Sequence, residues 1–165
     1  MVRCKYEKRG EIMQNQKLVE LINKYGEESQ EVADVLREFT IKGNWEPIYI
    51  ISEYTGREIS ILVDAESNIF IDWGSISRVA LNPPYGSILP YKLWLHTHPS
   101  NQAYWSLTDQ ESLFFAERIL QHAIVLGENG LLSTTNSNLV DGIEFDNNSS
   151  WTLEKVNNWP EHSFE

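Results

Sequence analysis

Apolar and polar positions recur with two different periods along this chain, and the change of period marks its elements. From Gln14 to about Thr40 the spacing is helical: Leu18, Ile22 and Tyr25 form one apolar face, and Val32, Val35, Leu36 and Phe39 another. Gly26 divides the stretch into two helices. Ser29, before Gln30-Glu31, reads as the N-cap of the second, and Lys42-Gly43-Asn44 as its exit. The first 13 residues are charged and mixed and read as a frayed arm or a short strand. After Trp45 the period becomes that of strands. Ile48–Ser52, Glu58–Val63 and Ile69–Trp73 are separated by the turn material Tyr54-Thr55-Gly56 and Ala65–Asn68, which predicts an antiparallel meander. Val79-Ala80-Leu81 reads as a further short strand, and Asn82-Pro83-Pro84-Tyr85-Gly86 as a loop. Lys92–His98 is a strongly β-prone strand ended by Pro99. A helix follows from Ser106 to about Gln121, then a buried strand at His122–Leu126. Glu128-Asn129-Gly130 then turns the chain into Leu131–Thr134. Beyond that the chain is polar and reads as irregular, with a short helix at Thr152–Asn157. The sum is an α+β fold: helices flanking a mixed, largely antiparallel sheet.

Length and composition narrow the classes. The 165 residues amount to one domain, able to bury roughly 70% of the surface its unfolded chain exposes. Residues 1–28 read as an N-terminal extension, helical in part, and 29–165 as the domain with a polar C-terminal tail. Thirteen basic and 24 acidic residues leave a net charge of −11, which repels phosphate backbones and argues against a nucleic-acid partner. The single cysteine, Cys4, cannot form an internal disulfide, as suits a reducing compartment. No apolar run nears the roughly 20 residues that span a bilayer, and the N-terminus lacks the apolar core of a secretory signal. A cytoplasmic protein without a membrane partner is the expectation.

The chemistry is concentrated at Leu93-Trp94-Leu95-His96-Thr97-His98-Pro99 and the residues to Asp109. On a strand, residues i and i+2 share a face, so His96 and His98 point together and can ligate one ion. Asp109 lies 11 residues after His98, in the first turn of the predicted helix, where the intervening loop can return its carboxylate to the pair. Two imidazoles and a carboxylate leave a fourth position open, the arrangement of a catalytic rather than a structural Zn²⁺. Each part alone has a plainer reading. A His-x-His on a strand is more often coincidence than a site, and Ser106-x-x-Asp109 is a capping-box variant. Together the pattern H-x-H-P-(x)7-S-x-x-D fixes five residues. Ordinary residue usage produces it roughly once in a million starts or fewer.

His96-Thr97-His98-Pro99 followed by Trp105-Ser106-Leu107-Thr108-Asp109 resembles the motif of the JAMM (MPN+, JAB1/MPN/Mov34) zinc metalloproteases, here in a compact, stand-alone, prokaryotic-type form. The resemblance covers about Val32 to Thr135 and implies the MPN, cytidine-deaminase-like fold. It implies that His96, His98 and Asp109 bind Zn²⁺ and that Ser106 helps stabilise the oxyanion. A glutamate on the first strand would act as general base. Glu46, Glu53 and Glu58 are the candidates; Glu46 is preferred because it follows the helix exit and precedes Ile48-Tyr49-Ile50-Ile51, with Glu58 next. Family members usually carry small residues after this glutamate, from which Pro47 and Tyr49 depart.

The implied reaction is hydrolysis of an isopeptide or peptide bond at the C-terminal tail of a ubiquitin or ubiquitin-like protein. Segments 74–90 and 136–148 would contact the substrate, with Tyr85, Tyr104 and Trp105 lining the groove. Two other functions share the motif or the fold: processing of a sulfur-carrier protein in biosynthesis, and a non-catalytic MPN-like scaffold that binds partner proteins. A DNA-linked branch is opposed by the net acidity. Trp94 should share the histidines' face or lie just beneath the site, and His122 should be a cap or a partly buried polar group.

Overall fold

The computed structural model describes residues 3–74, 81, 83–136, 139 and 151–156. The expected strand residues Val79 and Ala80, nearly all of segment 136–148, Trp159 and His162 therefore lie outside the described residues. The first half of the chain is helical: α1 (Arg3–Tyr25), α2 (Gln30–Lys42) and α3 (Trp45–Thr55). Then come β1 (Ile59–Val63), β2 (Ile69–Trp73), β3 (Tyr91–Thr97), α4 (Leu107–Phe115), β4 (Leu120–Gly127), β5 (Gly130–Asn136) and β6 (Trp151–Val156). The ends of α2 are where the sequence puts them. Ser29 accepts a hydrogen bond from the Val32 amide, and Gly43, at φ 63°, closes the helix in the left-handed conformation that glycine adopts without cost.

The sheet has the order β2-β1-β3-β4-β5-β6. Only β3 and β4 run parallel, joined through α4; the other four pairings are antiparallel. The architecture is thus α+β with a mixed sheet flanked by helices. Leu18 and Ile22 of α1 join Val32, Leu36, Ile48 and Ile51 of α2 and α3 over one face of the sheet, against Ile59, Ile61, Leu93, Leu95 and Ile124. On the other face Leu113 and Ala116, from α4 and its end, pack on Leu62, Trp94 and Ala123. With both faces covered, all five residues of β1 are buried. That is why apolar residues hold four of its five positions, Ser60 being the exception, instead of alternating with polar ones.

The structure corrects four expectations. The charged N-terminal stretch is neither arm nor strand: α1 starts at Arg3. Ile48–Ser52 is not a strand but the middle of α3, whose buried residues Trp45, Ile48, Tyr49 and Ser52 follow the i, i+3, i+4, i+7 spacing of a helix face. Pro47 sits in the first turn, where a missing N–H costs nothing, and Gly56 at φ 66° ends the helix. The helix from Ser106 stops at Phe115, because the Ile119 carbonyl accepts the Tyr91 amide at 2.6 Å and draws the next residues into the sheet. Finally, the helix expected over Thr152–Asn157 is a strand across its described part, Thr152–Val156, and Asn157 lies outside the described residues. Residues 151–156 pair antiparallel with the free side of β5, from Leu131 opposite Val156 to Asn136 opposite Trp151. A ladder offered by a neighbouring strand outweighs a weak local helix signal.

Candidate metal centre

Alternation along β3 puts Leu93 and Leu95 under the three helices, so Trp94 and His96 face the other way, and His98 continues on their side. The Trp94 ring stacks on His96 with centroids 4.6 Å apart and planes 19° apart, and its Nε1 donates to Ser60 Oγ at 3.1 Å. Trp94 therefore lies beside the site as its spacing predicts, and it fixes the plane of one candidate ligand.

The chain after His98 is held at several points. The His98 amide donates to the Leu126 carbonyl at 2.8 Å, the Glu128 amide to the Asn101 carbonyl at 2.7 Å, and the Ala103 amide to Asn129 Oδ1 at 2.6 Å. Ser100 takes the left-handed conformation at φ 58°, with its amide 2.6 Å from Glu53 Oε2 and its hydroxyl 3.1 Å from Oε1. The two-residue hairpin Glu128-Asn129 on one side and the end of α3 on the other thus bend the loop back over β3. At its end Ser106 caps α4. Its Oγ accepts the Asp109 amide at 3.1 Å, and Asp109 Oδ2 accepts the Ser106 amide at 2.8 Å. The capping box and the ligand reading of Asp109 are one geometry: Oδ2 takes the cap on the side of His98, and Oδ1 is left toward His96.

His96, His98 and Asp109 are 1%, 6% and 2% exposed, and their ligand atoms lie within 4.8 Å of one another. Asp109 Oδ1 is 3.1 Å from His96 Nε2, and Oδ2 is 3.6 Å from His98 Nε2. The first approach is short enough for a hydrogen bond but not aligned as one. His96 Nδ1 and Nε2 and His98 Nδ1 are buried without a hydrogen-bond partner among the described residues. Buried polar atoms left this way are costly and call for a ligand. Burial pushes the His96 pKa down, against the pull of Asp109, and so favours the neutral imidazole that ligates metals. Burial alone would raise the Asp109 pKa; His96, His98 and Ser106 outweigh it and hold the carboxyl well below the usual range. Two imidazoles and one carboxylate make a donor set suited to a divalent cation, and these three residues could hold a metal ion.

The three candidate bases occupy different places. Glu46 does not open a strand. It stands in the first turn of α3 and lines a cavity of about 230 Å³ with Gln14, Asn15, Asn44, Pro47 and Ile50, none of them a candidate ligand. Glu53, in the same helix, is exposed and is used by Ser100 and by the Tyr49 hydroxyl. Glu58 directly precedes β1 and is 7% exposed. Ser60 pairs with His96, and the Ile59 amide bonds the Thr97 side chain, so the next step of the register brings Glu58 opposite His98. Strand alternation gives Glu58 the same face as Ser60 and the histidines.

Of the aromatic candidates, Tyr104 packs with its ring 4.7 Å from His98 and Trp105 with its ring 6.0 Å from His96, whereas Tyr85 projects fully into solvent. His122 is a partly buried polar residue on β4, its Nδ1 3.1 Å from Thr135 Oγ1. Three contributors escape a reading of the sequence alone: Ser60 under Trp94, Asn129 under the loop, and Ser52 behind β3. The alternation Glu58-x-Ser60 carries a signal for the first; the other two depend on the placement of α3 and the hairpin. No protein-family model, curated protein or solved structure matches this chain.

Proposed function

We propose that this chain is a zinc-dependent amide hydrolase of the JAMM type, built on an MPN-like sheet, with His96, His98 and Asp109 as ligands and Glu58 as general base. The observation that carries the reading is the convergence of three buried ligand atoms within 4.8 Å, with a buried glutamate across the β1–β3 pair. When bound, Zn²⁺ supplies Lewis acidity and makes water acidic enough to lose a proton near neutral pH. Glu58 replaces Glu46 as the base because it shares the histidines' sheet face. Its carboxylate accepts the proton of the attacking water and returns it to the leaving amine, a role worth roughly 10²–10⁴-fold in rate. Ser106 accepts the Asp109 amide through its oxygen, so its own hydroxyl proton is left to donate to the developing oxyanion. The scissile bond is assigned to the C-terminal tail of a ubiquitin-like protein. The net charge of −11 suits a basic, extended tail.

The test is turnover of a ubiquitin-like protein carrying a C-terminal amide-linked extension, by the Zn²⁺-loaded chain and two variants. Glu58→Gln is expected to retain its metal and lose about 10²–10⁴-fold in kcat, and Glu46→Gln to turn over as the parent does. Full activity in Glu58→Gln with loss in Glu46→Gln would overturn the assignment of the base.

A further inference from the structure

Three backbone polar groups on the two peptide units that flank Glu58 are tied down, and two of the ties come from side chains behind the sheet. The Gly74 amide donates to the Glu58 carbonyl at 2.9 Å. The Ile59 amide donates to Thr97 Oγ1 at 2.9 Å, and Ser52 Oγ donates to the Arg57 carbonyl at 2.7 Å. Thr97 Oγ1 and Ser52 Oγ are 2.6 Å apart. Each hydroxyl has one proton, and that of Ser52 is committed to Arg57, so Thr97 donates to Ser52. The result is a directed chain: Ile59 N–H to Thr97, Thr97 to Ser52, Ser52 to the Arg57 carbonyl. It begins and ends on the two residues that flank Glu58. Thr97 and Ser52 are both 0% exposed, so water does not substitute for either hydroxyl.

We propose that Thr97, the residue between the two histidines, is a positioning residue for Glu58, acting with Ser52 through the backbone on either side of that glutamate. The proposal rests on the reading of Glu58 as the base. One strand then sets both halves of the machinery. Its even positions place the imidazoles on one face, and Thr97, pointing to the other, fixes where the base stands relative to them. A valine at position 97 would keep the shape and strand preference but leave the buried Ile59 amide unpaired and unlink Ser52. A serine would keep both bonds.

The experiment compares the full chain with Thr97→Val and Thr97→Ser, each loaded with Zn²⁺, and reads kcat and KM on the amide substrate, Zn²⁺ affinity, and the ¹³C carboxyl resonance of Glu58 with and without Zn²⁺. Thr97→Val is expected to bind Zn²⁺ within about threefold of the parent, to keep KM, and to lose about tenfold or more in kcat. Its Glu58 resonance should respond less to Zn²⁺, and Thr97→Ser should match the parent throughout. A Thr97→Val chain with parental kcat and a parental Glu58 response overturns the proposal. If the parent cleaves no amide, the hydrolase reading fails by itself, and the Glu58 response still decides the role of Thr97. Should Thr97→Val not fold, Ser52→Ala replaces it: a several-fold loss in kcat at unchanged KM, or a weakened Glu58 response, supports the proposal, and parental values of both overturn it.

Discussion

A buried carboxylate must recover in hydrogen bonds what it loses in hydration, and Asp64 and Asp109 do so for different ends. Asp64 is 0% exposed in the turn between β1 and β2. Its Oδ1 accepts the amides of Glu66 and Asn68, and its Oδ2 those of Ile88 and the Asn68 side chain. Burial raises its pKa, but these donors outweigh burial and bring it below the ordinary carboxylate value. The folded carboxyl thus holds its proton less tightly than the unfolded one. Its contribution is complete above the unfolded pKa, near 3.9, and falls away as pH drops through the lower folded value. Asp64→Ala should therefore cost about 1–3 kcal/mol at pH 7, with the deficit against the parent shrinking below about pH 4; urea unfolding at pH 7 and pH 3 measures both. Asp109 instead gives Oδ2 to the cap, beside His98, and turns Oδ1 to His96. At this scale the sequence was informative wherever the spacing was short. His96 with His98, Ser106 with Asp109, and the Ser29 cap are all separated by two or three residues, so local geometry alone sets them. The proposed base was not legible that way, because its choice depends on which apolar run is the first strand.

Elements decide that question. The run Ile48-Tyr49-Ile50-Ile51 has the composition of a strand, and its helical state comes from packing on α1 and α2, with Gly56 closing α3 beyond it. Assigning the run to α3 moves the first strand to Ile59–Val63, and the proposed base with it to Glu58. The loop from Pro99 to Trp105 is equally an element-level construction. Its return path is set by the β4–β5 hairpin, where Gly127 has no room for a side chain. A methyl group there would overlap the backbone nitrogen of Ala103 and the carbonyl carbon of Gln102. Gly127→Ala should push this loop outward, and Ser106 and Asp109 with it. The expected cost is about 1–3 kcal/mol in stability and about tenfold or more in Zn²⁺ affinity. Calorimetric titration with Zn²⁺ beside thermal unfolding checks both. An unchanged affinity would mean that the cap alone places Asp109.

At the scale of the molecule, the mixed sheet separates two jobs. Its helical face, under α1–α3, is a large apolar core; its other face carries a smaller core that shades into the candidate metal centre. Trp94 belongs to that second core and, with its Nε1 donating to Ser60, stacks on His96, so stability and ligand geometry share this residue. The α+β class and five of the six strands among the described residues were visible from hydrophobic runs between turns. The sixth was not, because its pairing depends on the open edge of β5 far back in the chain. Among the described residues no helix is long and apolar enough to cross a membrane. The net charge of −11 bears on solubility and association rather than on the fold.

The most direct measurement is the metal content of the full chain after equilibration with Zn²⁺ and removal of free ion, for the parent and for His96→Ala and Asp109→Ala. One Zn²⁺ per parent chain, lost in both variants, is the predicted result. A parent chain that retains no Zn²⁺, or variants that retain as much as the parent, would contradict a metal centre at His96, His98 and Asp109.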